Sequence, residues 1–284
     1  MGTLHIVATP IGHLEDVTLR ALRVLREADW VLAEDTRRTR VLLEHFEISG
    51  KPTSLHAHNE VGRIESVLAA LEEGRSVALV SDAGTPLVSD PGERLVAAVL
   101  QAGHCVEAVP GASALLTALT VSGLGTSQVL FLGFLPRKTG ARRKALEAQR
   151  TRPETLVLFE SPRRVAKTLG EIAEILGDRR ACLARELTKK HEEVLRDGTA
   201  ALAAYCLENP PRGECTLVIG GATAEEVADR SSWADEDIDD LIRSELATGS
   251  SVKDLASRLA NRTGRPKRSL YARAVALREE GGGS

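Results

Sequence analysis

The chain has 284 residues, 43% of them hydrophobic and 27% charged, enough to bury cores in two or more domains and too well mixed for a disordered or fibrous chain. Its formal net charge of -3 excludes a uniformly basic nucleic-acid binder, though not one that gathers its cations locally. No apolar run exceeds strand length, so no membrane span is expected, and the four cysteines, Cys105, Cys182, Cys206 and Cys215, show no CxxC spacing, which points to reduced thiols in a cytoplasmic protein without a metal site.

The first 110 residues alternate short apolar runs with helical patterns. Strands are predicted at 4–8, 30–33, 77–80 and 106–109, and helices at 17–28, 64–73 and 92–102. Such alternation means βαβ units and a mostly parallel sheet. Asp16 is the expected cap of the first helix, and Asp90-Pro91 the expected first turn of the third. The residues ahead of the first strand lack the basic and apolar regions of a signal peptide, so none is expected.

From about Val129 the texture changes. Strands are predicted at 156–159, 181–187, 193–196 and 215–219, with helices at 164–176 and 199–209, as in a second α/β domain with some antiparallel pairing. Residues 222–232 are small and polar and read as a linker. Three short helical segments follow at 235–246, 252–262 and 266–277, the layout of a helix-turn-helix-like module. The expected domains are therefore 1–122, 123–221 and 233–280.

Charge is segregated along this plan. Between Pro136 and Arg152 seven Lys/Arg face a single acid, Glu147, and between Leu255 and Arg278 seven Lys/Arg face none. Each stretch is either a solvated helix face or a phosphate-binding patch.

Three loops each follow a predicted strand: Thr9-Pro10-Ile11-Gly12-His13-Leu14, Ser81-Asp82-Ala83-Gly84-Thr85-Pro86 and Val109-Pro110-Gly111-Ala112-Ser113-Ala114. All combine Pro and Gly, so all can turn sharply and let a ligand approach bare backbone. Ser113 stands where a helix would begin, with spare amide donors. Open parallel sheets bind ligands beyond the carboxyl ends of their strands. None of the loops is GxGxxG or GxxxxGK[ST], so dinucleotide and P-loop readings have no support.

In this order the three loops resemble those of the tetrapyrrole methylase superfamily, two-domain methyltransferases that use S-adenosylmethionine. Ala33-Glu34-Asp35-Thr36-Arg37, His56-Ala57-His58-Asn59-Glu60, Phe131-Leu132-Gly133-Phe134-Leu135-Pro136, Phe159-Glu160-Ser161-Pro162-Arg163-Arg164 and Ala184-Arg185-Glu186-Leu187-Thr188-Lys189 resemble one branch of it, which methylates the 2′-oxygen of a cytidine in 16S ribosomal RNA. The resemblance spans about residues 4–220, and more loosely the C-terminal helices. It implies S-adenosylmethionine as cofactor, the small ribosomal subunit as partner, and a homodimer.

It also implies residue roles. Pro10 and Ile11 would floor the cofactor pocket, and Asp82, Ala83, Gly84 and Thr85 would line it. Ser113 and Ala114 would meet the amino-acid end or ribose, and Phe159, Leu187, Cys215 and Thr216 would enclose the adenine, although Phe159 and Leu187 serve equally well as plain core. A ribose hydroxyl needs a proton acceptor, for which Asp35, His58 and Glu160 are the candidates. Asp35 suits an ion pair with Arg37 as well as it suits a base, and Glu160 suits a helix cap. RNA contacts are expected from Arg37, Arg38, Arg163, Arg164, Arg185, Lys189 and Lys190, with residues 137–143 as a flank and Arg262, Arg265, Lys267, Arg268 and Arg273 as a second grip. Two rival readings stay open: a tetrapyrrole methyltransferase on the same fold, and a non-enzymatic nucleic-acid-binding regulator.

Overall fold

The computed structural model describes residues 2–223, 235–247, 250–263 and 265–281. The first half holds five parallel strands, β1 (Thr3–Val7), β2 (Trp30–Ala33), β3 (Thr53–Ser54), β4 (Ser76–Val80) and β5 (Cys105–Val109), in the order β3-β2-β4-β1-β5. The central strands are apolar on both faces because helices cover both. On one side α1 (Leu19–Glu27) and α2 (Thr36–His45) bury Leu22, Leu25, Leu42 and Leu43. On the other α3 (Glu60–Glu72) and α4 (Glu93–Gln101) bury Val67, Leu71, Leu95 and Val99.

Two helix starts differ from expectation. Thr18, not Asp16, caps α1, its hydroxyl accepting from the Ala21 amide at 3.0 Å; Asp16 closes a short 3-10 turn, Leu14–Asp16. The cap of α4 is Gly92, at φ 122°, rather than Asp90-Pro91. Gly92 packs so tightly on Leu79 and Leu87 that a Cβ would come within 2.9 Å of both, so the chain turns there and Asp90 stays outside the helix.

The second half is a mixed sheet of β6 (Val129–Phe134), β7 (Thr155–Glu160), β8 (Arg180–Arg185), β9 (Glu193–Gly198) and β10 (Cys215–Ile219), ordered β6-β7-β10-β8-β9. Only β6 and β7 pair in parallel; the other pairs are antiparallel. β8 stops at Arg185, short of the expected 187, because Glu186 takes the left-handed conformation at φ 50°. Helices α6 (Thr139–Glu147), α7 (Val165–Leu176) and α8 (Thr199–Glu208) complete the core around Leu158, Leu169, Ile172 and Leu217.

Between the sheets lies α5 (Ala114–Ser122). It buries Ala118 and Leu119 against Val157, Cys182 and Val218 of the second sheet, with Ile11 and Leu187 in the same cluster. The two halves therefore share one apolar floor. Three further helices, Asp235–Ala247, Val252–Thr263 and Lys267–Gly281, pack on one another around Ile242, Leu255, Leu259 and Leu270. Residues 224–232 of the expected linker lie outside the described residues, as does the Arg262 side chain. Among the described residues no helix is long and apolar enough to cross a membrane.

Candidate active site

The order of the first sheet sets β4, β1 and β5 side by side and pointing the same way, so the three Gly/Pro loops emerge together at one edge. They are bonded to one another. Thr9 and Gly84 exchange backbone hydrogen bonds at 2.8 and 3.0 Å. The Thr9 hydroxyl donates to the Ser81 carbonyl at 3.3 Å, and the Thr85 hydroxyl to the Ala112 carbonyl at 3.3 Å. Gly84 sits at φ 84°, a conformation that side chains resist. Leu87 and Ser89 hold positive φ as well, at 75° and 71°, strain of the sort that gathers at ligand sites. Ser113 caps α5 with its backbone but makes no side-chain capping bond, and the first-turn amides of a helix have no partner within it.

The second sheet closes the opposite wall. A cleft of about 420 Å³ is lined by Ile11, Asp82, Ala83, Gly84, Thr85, Ser113 and Ala114 from the first half and by Phe159, Cys215 and Thr216 from the second. Of the residues expected at the cofactor, Leu187 lines a narrow apolar notch with Ile11, Ala114, Ala184 and Thr216. Pro10 lines an adjoining recess of about 190 Å³ with Arg38 and Lys189. Phe159 meets Phe131 edge-on at 5.0 Å and Phe134 at 5.7 Å between centroids, and Phe134 is left exposed at the mouth.

Gly12 brings the walls together. A Cβ there would lie 2.5 Å from Lys189 Cγ and 3.0 Å from the Leu187 carbonyl oxygen. The next amide, His13, donates to Thr188 Oγ1 at 3.0 Å. Lys189 ties the same corner by bonds of 2.9 Å to Glu186 and 3.0 Å to Glu214.

The three carboxylate and imidazole candidates are not brought together. Asp35 caps α2 and grips Arg37 at 2.6 Å. Hydrogen bonds from Arg37 hold its carboxyl down at about 2, and it does not line the cleft, its amide instead donating to Asp82 at 2.8 Å. His58 is exposed and away from the cleft wall. Glu160 does border the cleft, but its buried carboxylate accepts from the Ser161 amide at 2.7 Å and the Thr168 hydroxyl at 2.8 Å and pairs with Arg164 at 3.1 Å. It holds the turn into α7.

Several expected RNA cations are likewise committed to protein. Arg164 donates to the Leu135 carbonyl at 2.9 Å, and Arg185 holds Glu193 at 2.6 Å. In the basic stretch, Arg142 is buried against Glu171 and Arg143 grips Glu174. Arg38 lines both the cleft and its recess, 3.5 Å from Asp82 and 4.0 Å from Glu214. Arg163 and Lys190 are exposed and form no ion pair among the described residues. Arg37, although paired, is 86% exposed.

Sequence reasoning missed two acids on the cleft wall, Glu34 and Asp90. Burial raises the Glu34 carboxyl, and Asp82 adds to the effect. Burial and then the Glu34 charge push Asp90 up to about 6, against the pull of the Ser81 hydroxyl. Glu34 directly follows β2, at the carboxyl edge of the sheet, and that position was the available signal. Among the described residues no group of three or more His, Cys, Asp or Glu could hold a metal ion.

The family model described as tetrapyrrole (corrin/porphyrin) methylases matches residues 3–203. The chain is 44% identical over 282 residues to a ribosomal RNA small subunit methyltransferase I of Synechocystis sp., covering 99% of this chain and 100% of that one. It is 48% identical to a protein of the same name from Mesorhizobium japonicum, over 98% of this chain and 93% of the relative. Among solved structures, a uroporphyrin-III-C-methyltransferase from Thermus thermophilus superposes with a TM-score of 0.53 at 25% identity, covering 80% of this chain and 96% of that one.

Proposed function

The chain belongs to the tetrapyrrole (corrin/porphyrin) methylase family, and from that premise we propose that it transfers a methyl group from S-adenosylmethionine to the 2′-oxygen of a cytidine in small-subunit (16S) ribosomal RNA. The observation that carries the reading is the convergence of three bonded loops and the facing sheet on one cleft of about 420 Å³. The RNA class follows from the full-length relatives, and the 2′-oxygen of a cytidine from the resemblance of the motif segments. The same resemblance carries a homodimer and the division into domains at 1–122, 123–221 and 233–280.

The residues present fit the donor. A planar base needs apolar walls and a few backbone groups, and Ile11, Ala114, Phe159, Cys215 and Thr216 on the cleft wall offer both, with Leu187 in the small notch that shares Ile11, Ala114 and Thr216 with it. Ser113 and the open end of α5 suit the ribose or the carboxylate. Bound there, S-adenosylmethionine supplies a methyl group on positively charged sulfur. The chain's own part is to align the attacking oxygen behind that methyl and to exclude water.

Charge on the cleft wall favours a nucleoside over a tetrapyrrole that bears carboxylates. Glu34, Asp82, Asp90 and Glu214 border the cleft with Arg38 as the cation among them, an arrangement that repels a polyanionic macrocycle. A nucleoside can enter while its phosphates stay outside the cleft, with the exposed Arg37, Arg163 and Lys190 as the cations offered to them.

The test is methyl transfer from labelled donor to small ribosomal subunits of a strain lacking this modification, followed by nuclease digestion. Label on a cytidine 2′-oxygen is the expected result. Label on a uroporphyrin-type macrocycle, or donor binding with no transfer to RNA, overturns it.

A further inference from the structure

We propose that Asp90, seated beside Glu34 in the wall of the cleft, accepts the proton of the attacking ribose hydroxyl. The inference rests on the reading above that such a hydroxyl is the methyl acceptor.

Three of the acids on the cleft wall are already engaged by amides or cations, which leaves two carboxylates, and the backbone sets one of these apart. Asp82 is occupied by the Asp35 amide at 2.8 Å and by Arg38 at 3.5 Å. Glu160 is spent on Ser161, Thr168 and Arg164. Glu214 is 61% exposed and bonded to Lys189 at 3.0 Å. Glu34 and Asp90 remain, both lining the cleft and neither ion-paired among the described residues. Asp90 lies in the strained stretch that holds Leu87 and Ser89 at positive φ and ends at the tightly packed Gly92. The backbone there departs from easy conformations and leaves a carboxyl on the wall rather than in a helix cap, as strained loops at functional sites do.

The surroundings tune it. Charged and polar groups reach Asp90 from two directions: Glu34 beyond β2, and Ser81 and Asp82 beyond β4. A carboxyl that ionises at about 6 is largely deprotonated at neutral pH yet far more basic than a free aspartate, which suits general-base work. In the step, the 2′-oxygen forms a bond to the methyl carbon as the carbon–sulfur bond breaks, its electron pair neutralising the sulfonium. The hydroxyl proton passes to Asp90 and then to solvent, so charge and atoms balance.

The experiment uses the full chain in three measurements: the pH dependence of kcat/KM on small ribosomal subunits, donor affinity by calorimetry, and carboxyl titration by carbon NMR of aspartate-labelled protein. The wild type should show an acid limb near pH 6, with a carboxyl titrating in step. Asp90→Asn should abolish that limb and lower kcat about 10²–10⁴-fold, with donor affinity unchanged. Glu34→Gln should keep most of the rate and move the limb to lower pH, because the neighbouring negative charge is gone. Full activity in Asp90→Asn, an unmoved limb, or a loss confined to donor affinity overturns the inference. A wild-type chain that binds donor and methylates no RNA overturns the parent reading instead.

Discussion

The Arg142 guanidinium and the Glu171 carboxylate face each other through two hydrogen bonds of 2.6 Å, joining α6 to α7 beneath the second sheet's helices. Both side chains are under a tenth exposed. Removal of one partner leaves a buried charge alone, so Arg142→Ala should cost about 3–5 kcal/mol in urea unfolding, while Arg142→Met with Glu171→Leu should recover much of the loss. The Arg142 hydrogen bonds also hold the Glu171 carboxyl below the ordinary glutamate range. A folded pKa below the unfolded one means that this stability is present above the unfolded value and is lost as pH falls through the folded one. The stability of Glu171→Gln should therefore fall less steeply with acid than that of the wild type.

Gly12 has room for no side chain against Leu187, Thr188 and Lys189. Gly12→Val should push the walls of the cleft apart at a cost of roughly 1–3 kcal/mol, read by calorimetry as weaker donor binding. Unchanged affinity would mean that the corner formed by His13 and Thr188 is not part of the donor site.

Phe134 is 57% exposed beside Phe159 at the cleft mouth. An exposed ring in that place can take a flipped base by stacking, worth about 1–3 kcal/mol. Phe134→Ala should raise the KM for the RNA about tenfold or more and leave donor affinity as it was.

Arg163 and Lys190 are exposed cations that form no ion pair among the described residues. The double variant Arg163→Gln, Lys190→Gln should reduce the slope of log affinity against log salt by about 1.4, at roughly 0.7 per lost phosphate contact on single-stranded RNA. Arg185→Gln should act mainly through the fold, since its guanidinium already belongs to Glu193.

Much of this architecture could be read from the chain itself, for reasons that also explain the misses. Strands such as β4 and β10 are short, apolar and buried on both faces, so their sequence is their signal. β6 is half-buried along most of its length and shifts register between Phe131 and Gly133, so its run reads as a motif rather than a strand. α2 opens on Thr36, Arg37, Arg38, Thr39 and Arg40, a charged start that draws attention to phosphate and hides the Leu42 and Leu43 face beneath. The loops of the site were legible because Gly and Pro mark turns locally. Glu34 and Asp90 were not, because 56 residues separate them and only the strand order sets them on one wall.

The apolar floor formed by Ala118, Leu119, Val157, Cys182 and Val218 has a thermodynamic consequence. The two sheets cannot part without wetting it, so 2–223 should melt as one cooperative unit rather than as two. The C-terminal helices have a core of their own around Ile242, Leu255 and Leu270 and should open as a separate foldon. Hydrogen exchange should then show a bound donor slowing amides throughout both sheets at once, by the full linkage of binding to global opening, while the C-terminal helices exchange at their own pace.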